Sequence, residues 1–104
     1  MRDIVLRFIE RFTNSGTREE VIDTFTNGCC YWFAKILFER FADSDFSTHV
    51  VYDEVANHFG CYIDGAVYDI TGDITDKYEW RSWYDVCHTD ILHAEHISRD
   101  CIYF

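Results

Sequence analysis

One run constrains this chain more than any other: Asn27-Gly28-Cys29-Cys30-Tyr31-Trp32-Phe33-Ala34-Lys35-Ile36-Leu37-Phe38. A turn signal leads directly into two thiols, and Lys35 is the only charge between Gly28 and Phe38. A helix that is apolar on nearly every face is buried on nearly every face. The run therefore predicts a central helix reaching to about Phe41, with a cysteine pair in its first turn. Whatever fold the chain adopts has to wrap around that helix.

The material for wrapping it is sufficient for one core. The chain has 104 residues, which fits a single domain over 1–104 and not two. Hydrophobic residues make up 48% and aromatics 18%, a composition of folded domains and not of disordered tails. The charge balance is 9 basic against 19 acidic residues, net −10, the opposite of a nucleic-acid binder. It predicts repulsion from DNA, RNA and anionic membranes and attraction for basic partners, and it is also the charge of a protein that imitates nucleic acid. Arg2, Asp3 and Arg7 interrupt the first apolar residues, so no signal peptide reads there, and no apolar run reaches membrane-spanning length. A cytoplasmic protein is expected. The five cysteines, Cys29, Cys30, Cys61, Cys87 and Cys101, are odd in number and are expected to be reduced thiols. Adjacent cysteines rarely bridge, so Cys29–Cys30 is not expected to be a disulfide.

Residues 2–13 read as a helix with Ile4, Phe8 and Phe12 on one stripe, widened by Val5 and Ile9. Asn14-Ser15-Gly16 ends it. Thr17-Arg18-Glu19-Glu20 has the capping-box form and starts a short helix to about Phe25, with Val21, Ile22 and Phe25 inward. After the central helix and the polar connection Ala42-Asp43-Ser44-Asp45, the periodicity changes to strand: His49–Tyr52, Val55–Ile63 and Ala66–Ile70, closed by Thr71-Gly72-Asp73. Tyr78–Tyr84 reads as a short helix or loop. A last helix is expected from Thr89-Asp90 to Arg99, with Thr89 as cap and Ile91, Leu92 and Ile97 apolar. Cys101–Phe104 is an apolar tail expected to pack down or pair with a sheet edge. The fold class is α+β: N-terminal helices and a buried central helix packed on a small antiparallel sheet.

The hairpin between the second and third strands can be registered from the sequence. Asp64-Gly65 as a two-residue turn places Ile63 opposite Ala66, Gly60 opposite Asp69 and His58 opposite Thr71. Opposed residues share a face, as do residues two apart on one strand. His58, Gly60 and Asp69 then lie on one face, with His58 and Asp69 diagonal neighbours and Gly60 leaving room between them. Phe59, Cys61, Ile63, Ala66, Tyr68 and Ile70 form the apolar face. A thiol at a helix start is favoured as thiolate, and a histidine oriented by a carboxylate is the base it needs. On spacing alone Cys29 and Cys30 are equal candidates: Cys30 shares a stripe with Ala34, Leu37 and Phe41, Cys29 one with Phe33 and Ile36.

These residues carry a family resemblance over about residues 25–73. Gly28-Cys29-Cys30-Tyr31-Trp32-Phe33-Ala34 resembles the Gly-x-Cys-aromatic segment that opens the central helix of papain-like cysteine enzymes. The order Cys, then His on a strand, then Asp on the next strand resembles the permuted branch, of NlpC/P60, transglutaminase and arylamine N-acetyltransferase types. Asn57-His58-Phe59 with Tyr68-Asp69-Ile70-Thr71-Gly72 is similar to small phage and bacterial proteins of this kind. The resemblance implies a minimal papain-like architecture with Cys30 as nucleophile, His58 as base and Asp69 as its orienter. Asn27 and Cys29 are then support for the oxyanion beside the Cys30 backbone N–H.

Other features read mainly as structure. Trp80, Trp83 and Tyr84 are core lid first, and the wall of the site if a thiol site forms. Cys87, His88, His93, His96 and Cys101 are rich in zinc-ligand types, but their spacing matches no strong zinc pattern. No metal or cofactor is expected. Two functions follow. One is a thiol-dependent hydrolase or acyltransferase (peptidase, amidase or deamidase type) acting on an amide or acyl group of a protein or peptide. The other is a small acidic binding protein, phage-encoded and active in the host cytosol, that blocks a basic surface of a host factor without catalysis. Neither calls for nucleic acid or membrane as partner.

Overall fold

Hydrophobic alternation along residues 58–70 gives the sheet one apolar face, and the helices are laid on it. A computed structural model describes residues 2–14, 18–26, 30–42 and 47–99. The elements are α1 (Arg2–Thr13), α2 (Arg18–Thr26), α3 (Cys30–Phe41), β1 (Thr48–Asp53), β2 (His58–Ile63), β3 (Ala66–Asp69), β4 (Gly72–Asp73), β5 (Arg81–Ser82), α4 (Trp83–Thr89) and α5 (Ile91–Ile97). All strand pairs are antiparallel, in the order β4-β3-β2-β1-β5. The fold is α+β.

The β2–β3 register follows the turn chemistry. Asp64 and Gly65 have φ of 48° and 91°, the positive pair of a type I′ turn. Ile63 accordingly pairs with Ala66 and Cys61 with Tyr68. Phe59, Cys61, Ile63, Tyr68 and Ile70 enter the main core with Phe33, Ala34, Leu37 and Phe41 of α3 and Val5 and Ile9 of α1. Phe8 meets Phe41 and Phe12 meets Phe33 through their rings, so α1 and α3 run antiparallel. Val86 of α4 and Ala94 and Ile97 of α5 complete the core beside β1. The opposite sheet face carries a smaller cluster, Val51, Val67 and Ile74, with Tyr62, Tyr78 and Trp80 against it.

Several expectations are corrected. The central helix is not buried all round: Phe33, Ala34, Leu37 and Phe41 are buried, whereas Trp32 and Phe38 are exposed. One sheet covers one side, and Lys35 stands over the Trp32 ring, 5.5 Å from its centre. The stripe of α1 is rotated. Val5, Ile9 and Thr13 are buried and Ile4 is 54% exposed, because the aromatic Phe8 and Phe12 reach sideways to α3 while the shorter Val5 and Ile9 face the core. Strand β2 begins at His58 and not at Val55. The Val55 N–H donates to Asp53 Oδ1 at 2.9 Å and Asn57 has a φ of 52°, which make a turn of 54–57. Gly72–Asp73 and Arg81–Ser82 are added edge strands. Thr89 does not cap α5: its hydroxyl donates back to Asp85 O at 2.6 Å, closing α4, and Asp90 holds the cap position. Ile91 and Leu92 are exposed while Ala94 and Ile97 are buried. The expected cap at Thr17, the 43–45 connection and the Cys101–Phe104 tail lie outside the described residues.

Gly60 leaves room, but not for the diagonal pair. A Cβ there would lie 2.7 Å from Val67 Cγ1, 3.3 Å from the Tyr68 carbonyl oxygen and 3.5 Å from Ile74 Cδ1. The space belongs to the smaller cluster, whose side chains close over a bare backbone. Gly60→Ala is expected to cost about 1–3 kcal/mol by overpacking, read as a lower urea midpoint with an unchanged m-value.

Candidate functional site

The site forms where the first turn of α3 meets the start of β2. Cys30 is the first residue of α3, on the stripe whose later members, Ala34, Leu37 and Phe41, are buried against the sheet. That stripe aims the thiol at β2. Phe59 points into the core beside α3, and its ring meets Tyr31 at 5.1 Å between centres. His58, one residue earlier, belongs to the other sheet face, but it is the strand's first residue and its ring reaches the thiol around the sheet's end. The sulfur is hydrogen-bonded to the His58 side chain and to the backbone N–H groups of Phe59 and Tyr31.

His58 Nε2 lies 2.9 Å from Asp69 Oδ2, diagonally across the β2–β3 pair. With Nε2 engaged there, Nδ1 is the ring nitrogen left for the sulfur. Asp69 Oδ1 accepts from the Thr71 N–H at 2.7 Å and from the Thr71 hydroxyl at 2.5 Å. The carboxylate thus does two jobs: one oxygen anchors the turn into β4, the other holds the imidazole. The His58 and Asp69 side chains are 13% and 8% exposed, so the pair is largely dry.

Three groups shift together. Burial alone pushes the Cys30 thiol up, but the His58 hydrogen bond and charge and the two backbone N–H groups outweigh it and hold the thiol below its usual 9.0. Burial alone pushes His58 down, and the bonds to Asp69 and Cys30 reverse that and raise it to about 9. Burial would raise Asp69, and the His58 and Thr71 bonds hold it below 3.8. Near neutral pH His58 is therefore imidazolium and Asp69 carboxylate, and the imidazolium shifts Cys30 toward thiolate. The other described thiols go the opposite way. Burial in the core pushes Cys61 up to about 12, and burial also raises Cys87.

These shifts set a stability prediction. His58, raised from 6.5 to about 9, contributes stability that is whole below 6.5 and is lost as pH rises through 9. Cys30, held below 9.0, contributes stability that is whole above 9.0 and is lost as pH falls through its folded value. Where the two windows overlap the slopes oppose, and the wild-type urea midpoint should vary less with pH than either group alone would make it. Cys30→Ala removes one slope and also one of the contacts that raise His58. Its stability should fall as pH rises above 6.5, by up to about 1.4 kcal/mol per pH unit, over a window that closes below pH 9. A variant whose stability keeps falling up to pH 9 would refute the coupled pair.

The surroundings match the sequence reading only in part. Trp80 lies beside the imidazole, ring centres 6.3 Å apart, held by its Nε1–H donating to the Thr75 carbonyl at 3.2 Å. Tyr78 is nearer, at 5.4 Å, and no periodicity in residues 74–80 marks it. Trp83 packs on Tyr52 and Phe59 as part of the core behind the site. Tyr84 is not beside Cys30, His58 and Asp69: it is 70% exposed and stacks on His88 at 4.0 Å, because α4 turns it outward. Asn27 and Cys29 lie outside the described residues. Among the described residues no group of three or more His, Cys, Asp or Glu side chains is placed to hold a metal ion, and no helix is long and apolar enough to cross a membrane.

The sequence model of a family described as Phage YunG-like protein matches residues 5–101. No curated protein and no solved structure matches the chain.

Proposed function

The chain belongs to the phage YunG-like family, and on that premise we propose that it is a thiol-dependent hydrolase or acyltransferase of papain-like chemistry, acting on an amide or acyl group of a protein or peptide in the host cytosol. One observation carries this reading: the continuous hydrogen-bonded line Cys30–His58–Asp69, with Cys30 lowered and His58 raised. A structural cysteine in a core has no use for an imidazole held by a buried carboxylate, and Cys61 is that ordinary case.

The chemistry follows from the resting ion pair. The Cys30 thiolate attacks the carbonyl carbon and the C=O electron pair moves to oxygen. Free N–H groups in the first turn of α3 stabilise that oxyanion. His58 gives its proton to the leaving amine, the C–N bond breaks, and a thioester on Cys30 remains. His58, now neutral, takes a proton from water or from an acceptor amine, which attacks the thioester. The product is a carboxylic acid or a new amide, and the proton returns the pair to thiolate and imidazolium. Asp69 stays ionised and fixes the imidazole.

An acyl-trapping experiment tests this. Incubation with small activated thioesters should leave one acyl group on Cys30, located by peptide mass mapping, with release accelerated by added amine if transfer is the reaction. Acylation of other cysteines at equal rates, or none on Cys30, would sink the proposal.

The net charge of −10 supports a second reading, an acidic inhibitor that covers a basic surface of a host factor. In that case Cys30→Ala should retain the partner in a pull-down and raised salt should release it. Loss of partner in Cys30→Ala at constant salt excludes it.

A further inference from the structure

We propose that Tyr78 is a positioning residue for the base: its ring stabilises the charged imidazole of His58 and holds it between Asp69 and Cys30. The inference rests on the thiol-enzyme reading and extends it to a residue beyond Cys30, His58 and Asp69. The Tyr78 ring stands 5.4 Å from the imidazole, centre to centre, and is tilted by 42°. An aromatic ring attracts a cation within about 6 Å of its centre, through the negative charge on its face. Among the described residues, the other titratable groups facing His58 are Cys30 of α3, Asp69 of β3 and Asp53, its cross-strand partner on β1. Asp53 Oδ1 accepts the Val55 N–H at 2.9 Å. Lys77 and Glu79, on either side of Tyr78, are exposed.

The segment that carries Tyr78 is tied down so that its ring has one place. Residues 74–80 form a strap from β4 to β5. The Ile74 N–H donates to the Val67 carbonyl at 2.8 Å. The Val67 N–H donates to the Thr75 hydroxyl oxygen at 2.9 Å, and that hydroxyl donates to Asp73 Oδ1 at 2.6 Å. Trp80 Nε1–H closes the strap on the Thr75 carbonyl at 3.2 Å. The Trp80 ring then meets the Tyr78 ring at 5.3 Å and 73°. At 6.3 Å from the imidazole Trp80 is itself beyond close attraction, so its part is to brace Tyr78. Both rings also rest on the smaller cluster of Val51, Val67 and Ile74. Packing there asks only for apolar surface, which a leucine supplies as well. A leucine lacks the charge on the ring face, and that charge has a target because His58, raised to about 9, is an imidazolium at neutral pH.

Titration of the His58 ring by NMR on the full chain tests the proposal with no substrate. In the wild type the midpoint is expected near 9. Tyr78→Leu should lower it by about 0.4–0.7 pH unit, about two- to fivefold in the protonation equilibrium. Tyr78→Phe should keep it. Tyr78→Phe with the new ring fluorinated in steps keeps the shape, drains charge from the ring face and should lower the midpoint stepwise, so the test survives a Tyr78→Leu that folds poorly. Trp80→Leu should lower it by less than Tyr78→Leu. With the imidazolium weakened, Cys30 alkylation in Tyr78→Leu should climb more steeply across neutral pH than in the wild type. A His58 midpoint unchanged in Tyr78→Leu and across the fluorinated series would reduce Tyr78 to packing and leave the thiol reading standing. A wild-type His58 that titrates near 6.5 would overturn both.

Discussion

At pH 6, iodoacetamide should alkylate Cys30 at least about tenfold faster than Cys87, with the modified residue identified by peptide mapping. The thiolate is the reacting species, and its fraction and intrinsic reactivity both set the rate, so a lowered thiol gains less than its ionisation alone suggests. Cys87 is raised by burial and is almost wholly protonated at that pH. Cys30 is lowered by His58 and by the N–H groups of Phe59 and Tyr31 despite its own burial. Its rate should climb less steeply across neutral pH than that of an ordinary thiol. His58→Ala removes the largest stabilising contact, and the profile should then climb like that of a free thiol. If Cys30 follows the free-thiol profile in the wild type, or if Cys29 takes the label instead, the assignment of the nucleophile is wrong. Cys30→Ala should abolish acylation altogether.

Asp69 carries the second large effect. Asp69→Asn keeps the size of the side chain and an oxygen for Thr71 but removes the charge that holds His58 near 9. Turnover should fall by about 10²–10⁴-fold, the range lost when an oriented acid–base group is disabled. The alkaline limb of the pH–rate profile should move down from about 9 as well. That movement separates positioning from simple damage to the fold. Asp69→Ala should in addition lose about 3 kcal/mol of stability, because it leaves a nearly buried imidazole and the Thr71 N–H without their partner. An Asp69→Asn protein with normal turnover and an unmoved alkaline limb would reduce the carboxylate to a turn anchor.

How far these features are legible in sequence depends on how local their cause is. The type I′ turn at Asp64-Gly65 is local, and a turn of known length sets every pairing that follows it. For that reason the His58–Asp69 diagonal can be drawn from the letters alone, and the structure closes it at 2.9 Å. The start of β2 is less legible. Val55 is a strand former, but the Asp53 carboxylate captures its N–H and turns the chain. The stripe of α1 is misread for a different reason. Its hydrophobic residues are broad enough to allow two rotations, and the choice rests on Phe8 and Phe12 finding the rings of Phe41 and Phe33. Tyr78 beside His58 has no periodic signal, since residues 74–80 are fixed over the sheet by irregular hydrogen bonds such as Trp80 Nε1–H to the Thr75 carbonyl.

By itself the sequence determined the fold class, the central helix, the hairpin register and the two faces of that hairpin. Each follows from spacing between near neighbours, where the chain's own geometry leaves little choice. Tertiary structure alone decided that α3 is covered on one side only and that Tyr84 faces outward. It also decided that Gly60 makes room for Val67 and Ile74. It decided the surroundings of the Cys30 end of α3 too. The alternation rule puts His58 on the face away from the helix, and only the position of Cys30 at the sheet's end brings sulfur and imidazole together. That contact depends on where two separately legible elements stop, and stopping points are set by packing across the whole domain.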